Sequence, residues 1–98
     1  MDFSKPVKWR SKEYLSFIRS LPCCVCGLMP GGIAHHESVL GEKGIGTKPG
    51  DEQSLPICPR DHTLYHNGDN WTRMHMPQDP AREMLRLLTR WLIEKEGK

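Results

Sequence analysis

The clearest periodic pattern lies near the C-terminus. Apolar residues recur there every three or four positions, which is typical of one face of an amphipathic helix. They are Met84, Leu85, Leu87, Leu88, Trp91 and Leu92. Asp79 stands where an N-cap is expected, Pro80 follows at the first helical position, and Gly97 comes after the last turn. The pattern predicts a helix over residues 79–96, whose apolar stripe packs within the chain or across a dimer.

A second helical pattern covers residues 11–21. Its apolar positions are Tyr14, Leu15, Phe17, Ile18 and Leu21. Ser11 is a suitable N-cap, and Pro22 ends the helix because it disfavours the helical conformation of the residue before it. Residues 1–10, which precede this helix, are predicted to form a flexible basic leader.

The middle of the chain alternates short extended segments with turns. Residues 33–36 and 54–57 are each long enough for one strand. Cys58 and Pro59 then predict the start of a helix that ends near His66, where Asn67-Gly68 favours a left-handed stop. A glycine-rich loop over 40–52 and an irregular connector over 67–78 complete a small α+β fold.

Composition adds limits rather than an identity. The 98 residues suffice for one domain, and 37% hydrophobic with 27% charged residues is typical of a soluble globular protein. No run approaches the roughly 18 apolar residues of a membrane helix, and the N-terminus shows no signal-peptide core. We therefore expect no membrane association and a cytoplasmic location. The net charge of +2 permits nucleic-acid binding without arguing for it.

Four histidines have spacings that suit a metal site. His62 and His66 are one helical turn apart, which places both imidazoles on one helix face. A third ligand from another segment would complete a catalytic type of site, with coordination positions left open. His35 and His36 are neighbours on a predicted strand and point to opposite sides, so one can bind metal while the other faces a reacting water. The alternative for His62 and His66 is a helix surface or a core pair.

The cysteines indicate a second metal site. Three of the four lie within residues 23–26, which is a poor disulfide framework and a good ligand pattern. Cys23 and Cys26, followed by Gly27, have the spacing of a zinc knuckle, and Cys58 supplies a third thiolate. Asp61 lies three residues after Cys58, on the same helix face. We predict a structural Cys3Asp zinc site. The alternatives are buried inert thiols and an Asp61 that serves only the helix N-terminus through its charge. We predict that Cys24 is a core residue.

The order of these motifs resembles that of the HNH (His-Me finger, ββα-metal) endonucleases, including the colicin DNase branch. Those proteins carry a double histidine, a glycine-bearing loop and then His-x3-His on a helix. Over about residues 11–70 the chain is similar to small phage and prophage HNH proteins related to the phage recombination-enhancement nuclease. The shared segments are Pro22-Cys23-Cys24-Val25-Cys26-Gly27, Ala34-His35-His36, Gly44-Ile45-Gly46-Thr47-Lys48 and Leu55-Pro56-Ile57-Cys58.

The resemblance implies a ββα-metal core over residues 22–70 between an N-terminal and a C-terminal helix. It implies that His35, His62 and His66 bind a divalent metal, which could be Mg²⁺, Mn²⁺, Ni²⁺ or Zn²⁺, and that His36 is the general base. The central asparagine of the family motif is absent. Its place falls at Gln53 or Ser54, and either could hydrogen-bond the base imidazole.

The resemblance also implies a nucleic-acid substrate, with DNA the first expectation, inside a bacterial host cell. Lys43, Lys48 and Arg60 flank the site and could contact phosphates, or they could be solvated charges balanced by Glu42, Asp51 and Glu52. A phage or host recombination or packaging partner is a further possibility, and the oligomeric state is open. The alternative function is a zinc-stabilised, catalytically degenerate module that binds nucleic acid or a protein partner.

Overall fold

The computed structural model describes residues 8–39 and 49–97. Most of the predicted leader and most of the glycine-rich loop, including Lys43 and Lys48, lie outside the described residues. The described chain forms an α+β fold of helices around a two-stranded antiparallel sheet. In chain order the elements are α1 (Lys12–Ser20), β1 (Ile33–His36), β2 (Ser54–Ile57), α2 (Pro59–His66), α3 (Asn70–Met74) and α4 (Pro80–Glu96).

Three helices begin at the residues that the sequence predicts. The Ser11 hydroxyl accepts a hydrogen bond from the Tyr14 amide at 3.1 Å at the start of α1. The Asp79 carboxylate accepts from the Arg82 amide at 3.1 Å at the start of α4. The Cys58 thiol caps α2 in the same way. Each cap satisfies a backbone donor that has no partner inside its own helix.

The two strands place the double histidine at the end of the sheet. His35 lies opposite Leu55 in the antiparallel register, and His36 lies opposite Ser54. Successive side chains of a strand point to opposite sides. The two adjacent imidazoles therefore enter different surroundings, as the sequence predicts.

The main core lies where α1 and α4 pack against β2. Its buried residues are Tyr14, Ile18, Leu21, Leu55, Met84 and Leu87. The Tyr14 ring lies 5.2 Å from both the Trp9 and the Trp91 rings, measured between centroids. This aromatic contact joins the N-terminal helix to the C-terminal one. Among the described residues no helix is both long and apolar enough to cross a membrane.

One expectation about the second half of the chain was wrong. The predicted irregular connector contains α3, a single helical turn capped by Asp69 and held by the buried Thr72. A helix of five residues is too short to show a period in the sequence. The apolar stripe of α4 is covered only in part within this chain. Met84 and Leu87 are buried, whereas Leu85 and Leu92 are exposed, because α4 contacts α1 and β2 along one edge.

Candidate functional site

Helix α2 carries two histidines on one face, beside β1. The Nε2 atoms of His62 and His66 are 3.1 Å apart. His62 is half-buried and His66 is exposed. The i, i+4 spacing produces this contact, because residues four apart in a helix lie above one another. This side of α2 can therefore present two imidazole nitrogens to one ion.

His35 approaches the same point from β1. Its ring lies 5.3 Å from that of His62 and 5.6 Å from that of His66, between centroids. The His35 side chain is buried, and its Nε2 atom has no hydrogen-bond partner among the described residues. One ligand nitrogen from each of the three histidines lies within 4.8 Å of the others. We call these three residues the histidine group.

The geometry of the histidine group fits a metal ion. A zinc ion bound at about 2.0–2.1 Å by tetrahedral nitrogens holds those nitrogens about 3.3 Å apart. The 3.1 Å between His62 and His66 is close to that value. A metal would also give the buried Nε2 atom of His35 the partner that it lacks. The three residues could therefore hold a divalent metal.

Electrostatics keeps these imidazoles in the form that binds metal. Burial lowers the pKa of His35, and the neighbouring histidines lower it further, although Glu37 opposes them. Burial also lowers the pKa of His62, with a smaller contribution from His66. A lowered pKa means that the neutral form persists to more acidic pH. Neutral imidazole is the state that coordinates a metal.

Tyr65 covers the inner side of the histidine group. Its ring lies 5.2 Å from that of His35, between centroids. Its hydroxyl donates a hydrogen bond to the Glu37 carboxylate, and this bond raises the pKa of Tyr65. The Arg73 guanidinium lies 4.8 Å from the centre of the Tyr65 ring. Tyr65 thus links the histidine group to α3.

His36 is paired with a buried carboxylate. Its Nε2 atom lies 2.9 Å from Oδ1 of Asp51, whose side chain is 3% exposed. Asp51 also accepts a hydrogen bond from the Ser11 amide at 2.7 Å and lies 3.3 Å from the Arg10 guanidinium. Burial alone would raise the pKa of Asp51. The hydrogen bonds from His36 and Ser11 outweigh that effect, so the pKa lies below its usual range.

This pairing selects one tautomer of His36. A carboxylate can only accept hydrogen bonds, so the proton of the neutral imidazole resides on Nε2. The Nδ1 atom then carries the lone pair and can accept a proton. The same arrangement of imidazole and carboxylate orients the general base in serine proteases. Chemically, His36 and Asp51 can take a proton from a bound water.

The sequence assigned the hydrogen bond on His36 to Gln53 or Ser54, but Asp51 makes one. The Ser54 hydroxyl donates to the backbone carbonyl of Asp51 at 2.8 Å, so it contacts the residue that carries the carboxylate. The Gln53 side chain accepts a hydrogen bond from the Val39 amide at 2.9 Å. Asp51 is buried and is not the solvated counter-charge that was one alternative for it.

The second group joins three cysteines and an aspartate. Oδ2 of Asp61 lies 3.3 Å from Sγ of Cys23 and 3.2 Å from Sγ of Cys58. Sγ of Cys26 lies 3.8 Å from Sγ of Cys58, much farther than the roughly 2.05 Å of a disulfide. One ligand atom from each residue lies within 4.8 Å of the others. We call these four residues the cysteine group.

These distances are those of a tetrahedral zinc site. Zinc bound to sulfur at about 2.3 Å holds two sulfurs about 3.8 Å apart, and a sulfur and a carboxylate oxygen about 3.5 Å apart. The cysteine group, which the sequence predicts as a Cys3Asp site, could therefore hold zinc. Nε of Arg60 lies 3.4 Å from Oδ1 of Asp61, so Arg60 is next to the cysteine group. Its predicted contact with nucleic acid stays a prediction.

A tight turn presents the two cysteines of the knuckle. The Gly27 amide donates to the Cys23 carbonyl at 2.9 Å, and the Val25 amide donates to Sγ of Cys23 at 3.4 Å. Gly27 has φ of +80°, a conformation that residues with a Cβ rarely adopt. Cys24 points away from the group. It is half-buried against the main core, as the sequence predicts.

The Cys58 thiol keeps its proton at neutral pH when no metal is bound. Burial raises the pKa of Cys58 to about 12. Burial would also raise the pKa of Asp61, but hydrogen bonds from the three thiols outweigh it and lower that pKa. The carboxylate is therefore charged and ready to bind a cation, while the thiols must lose protons. Metal binding at such a site depends on pH for this reason.

Sequence reasoning missed Asp51 and gave Tyr65 no role. Asp51 could have been suspected, because it stands three residues before Ser54, the register partner of His36. Tyr65 precedes His66, and a helical residue at that place flanks the metal-binding face. Neither signal is specific without the folded chain.

Comparison with known proteins assigns the family. A family model described as "Protein of unknown function (DUF968)" matches residues 1–90. The chain belongs to this family. The "Uncharacterized protein YdfU" of Escherichia coli (strain K12) is 35% identical over 66 residues, which are 67% of this chain and 19% of that protein. The chain thus spans about a fifth of the length of this relative. No solved structure matches. The DUF968 match covers the histidine group, the cysteine group and the pair of His36 and Asp51.

Proposed function

We propose that this protein is a metal-dependent endonuclease of the HNH type that hydrolyses phosphodiester bonds in DNA. One observation carries the proposal. The three ligand nitrogens of the histidine group lie within 4.8 Å of one another, and the next residue after His35 is an imidazole already oriented by a buried carboxylate. A purely structural metal site has no use for such a neighbour.

The histidine group leaves room for a substrate. Three protein ligands leave at least one coordination position free, and the exposed His66 lies at the solvent-facing edge. When bound, a divalent metal would supply the positive charge that polarises the scissile phosphate and stabilises the leaving oxygen. Imidazole ligands favour ions such as Zn²⁺ or Ni²⁺ over Mg²⁺, which prefers oxygen.

His36 is the general base of the proposed reaction. Because Asp51 holds the proton on Nε2, the Nδ1 atom can accept a proton from the attacking water. The imidazole then becomes positively charged. The Asp51 carboxylate at 2.9 Å stabilises that charge without taking the proton itself. The HNH-like order of the motifs supports DNA as the substrate.

Plasmid cleavage by the metal-stripped protein, resupplied in turn with Zn²⁺, Ni²⁺, Mn²⁺ or Mg²⁺, tests the proposal. We expect nicking or linearisation with at least one ion. The His36→Ala variant should cut about 100-fold more slowly or worse, since general bases contribute about 10²- to 10⁴-fold. Its metal content should match that of the wild type, because His36 is not a ligand. Undiminished cleavage by this variant would contradict the assignment of the base.

A second candidate function is a zinc-stabilised module that binds nucleic acid or a protein without cleaving it. The cysteine group favours it, because its four ligands fill a closed structural site. The absence of the central asparagine of the HNH motif also favours this module. The same plasmid assay separates the two functions. DNA binding without cleavage by metal-loaded protein, under every ion supplied, would favour the module.

A further inference from the structure

Trp71 and Arg73 on α3, and His75 at its C-cap, have exposed side chains that the proposed reaction does not use. We propose that they bind an unpaired segment of the DNA substrate next to the scissile phosphate. In this assignment Arg73 contacts a backbone phosphate, and the stacked rings of Trp71 and His75 carry a base. The inference rests on the proposed function and names the form of DNA that the site takes.

Arg73 is held in place beside the histidine group. Its Nη2 atom donates to the Tyr65 carbonyl at 3.0 Å, and its guanidinium lies 4.8 Å from the centre of the Tyr65 ring. No carboxylate of the described residues lies within ion-pair distance of it, although Arg86 and Arg90 both have such partners. The remaining N–H groups of a fixed guanidinium form a fork that suits a phosphate.

Arg73 lies close enough to the histidine group to contact a neighbouring phosphate of the same DNA strand. The Arg73 guanidinium and the His35 imidazole lie 4.8 Å and 5.2 Å from the centre of the Tyr65 ring. The two groups are therefore at most about 10 Å apart, which is about three of the 3.4 Å steps between phosphates along the axis of a DNA strand. A strand whose scissile phosphate lies at the histidine group can therefore place a phosphate within a few nucleotides at Arg73.

Trp71 and His75 form a stacked pair at the surface. Their ring centroids are 4.0 Å apart, with 23° between the planes. Nδ1 of His75 lies 2.7 Å from the Trp71 carbonyl oxygen, which fixes the imidazole orientation. Trp71 is 52% exposed, although tryptophan is usually well covered. Thr72 is fully buried and holds the short helix against the domain.

An exposed, pre-oriented aromatic pair favours single-stranded DNA. A base can stack on a side chain only where it is not already stacked between its neighbours in a duplex. A phosphate contact alone would not distinguish the two forms. The combination therefore predicts that the stacked rings give preference for unpaired DNA, while Arg73 adds affinity for either form.

Binding of a fluorescein-labelled oligonucleotide, single-stranded or annealed to its complement, tests this inference. The measurements use metal-loaded protein carrying His36→Ala, so that proposed cleavage does not deplete the probe. Adding Trp71→Ala should weaken single-strand binding about tenfold and leave duplex binding within twofold. Adding Arg73→Ala should weaken both and lower the slope of log affinity against log salt by about 0.7 for the single strand. Arg82→Ala, an exposed arginine on α4, is the matched control.

Two results would overturn the inference. One is single-strand affinity that is unchanged by Trp71→Ala, and the other is an equal loss on the duplex. Either result leaves plasmid cleavage by the wild type as a separate measurement. If the wild type cleaves nothing while Trp71→Ala still loses single-strand binding, the nuclease proposal fails and the binding site on α3 stands.

Discussion

The two groups that could hold a metal ion differ in the number of protein ligands they offer. The cysteine group has four ligands, of which Cys58 is 1% exposed and Asp61 is fully buried, although Cys26 is exposed. The histidine group has three ligands, and His66 lies exposed at its edge. Four-ligand sites without a free position stabilise folds, whereas sites with a free position admit substrate. Under the proposed function, the cysteine group would hold an ion for structure and the histidine group would leave an ion accessible for chemistry.

Both groups depend on one helix. Cys58 and Asp61 stand at the start of α2, and His62 and His66 follow on it. The cysteine group ties that start to the knuckle, and the histidine group ties the rest of α2 to β1. A metal in the first group would thus fix the direction in which the second presents its imidazoles. We expect this coupling to have a direction, because a four-ligand structural site contributes to folding and a three-ligand open site need not.

The largest effect should come from Cys58→Ser. Serine keeps an oxygen that can cap α2 but removes a thiolate, so the change isolates metal binding from capping. Structural zinc contributes about 10–16 kcal/mol in zinc-finger peptides, whereas whole domains are stable by about 5–15 kcal/mol. We therefore expect a largely unfolded chain at 25 °C, measured by circular dichroism with zinc quantified per chain.

Cys24→Ala is the matched control for that experiment. Cys24 is half-buried and lies outside the cysteine group, so its variant should keep its metal and lose only a modest part of its stability. A Cys58→Ser protein with the zinc content and melting temperature of the wild type would show that the cysteine group is a set of buried thiols. The cysteine group would then not be a structural metal site, and its contrast with the histidine group would be lost.

A smaller effect on the fold, but a large one on activity, is expected for His66→Ala. The side chain is exposed, so its removal should shift the unfolding free energy by less than about 1 kcal/mol in protein without metal at the histidine group. The bound metal should fall from two ions per chain to one, and plasmid cleavage should drop about 100-fold or more. Metal analysis, thermal unfolding and cleavage on one preparation make the measurement. If this variant unfolds as completely as Cys58→Ser, both groups are structural.

Sequence reasoning found the ligands because their spacing is local. The turn of a helix brings His62 to His66, and Cys58 to Asp61, whatever the rest of the chain does. The alternation of a strand likewise separates His35 from His36. The caps of α1, α2 and α4 follow from the same short-range rules. For these elements a few residues contain all the information that decides the structure.

The partner of His36 could not be predicted in this way. Asp51 reaches it only because the chain after residue 48 returns to the start of α1, where Ser11 and Arg10 also donate to the carboxylate. The contact between Asp51 and Ser11 joins residues that are 40 positions apart in the sequence. The exposure of Trp71, which is 52%, also depends on how the whole chain packs, whereas its stacking on His75 is a local contact between residues four apart.

An effect on stability between those of Cys58→Ser and His66→Ala should come from Asp51→Asn. This substitution removes the buried carboxylate beside the histidine group, whereas Asp61 is the buried carboxylate of the cysteine group. Asparagine loses the charge that the His36 and Ser11 donors stabilise, so we expect a loss of about 1–3 kcal/mol at pH 7. Glu94→Gln, which breaks an exposed ion pair with Arg90 at 3.1 Å, should cost almost nothing.

The pH dependence of that loss tests its cause. The pKa of Asp51 is lowered in the folded protein, so its contribution is fully present above the unfolded value of about 3.9 and is lost as pH falls through the folded value. Urea unfolding in excess zinc should therefore show a constant difference between wild type and Asp51→Asn from pH 7 to pH 5, which narrows below about pH 4. A difference that does not narrow below about pH 4 would mean that the folded protein does not stabilise the Asp51 carboxylate. That carboxylate would then not orient His36, and the histidine group would lose the neighbour that distinguishes it from the cysteine group.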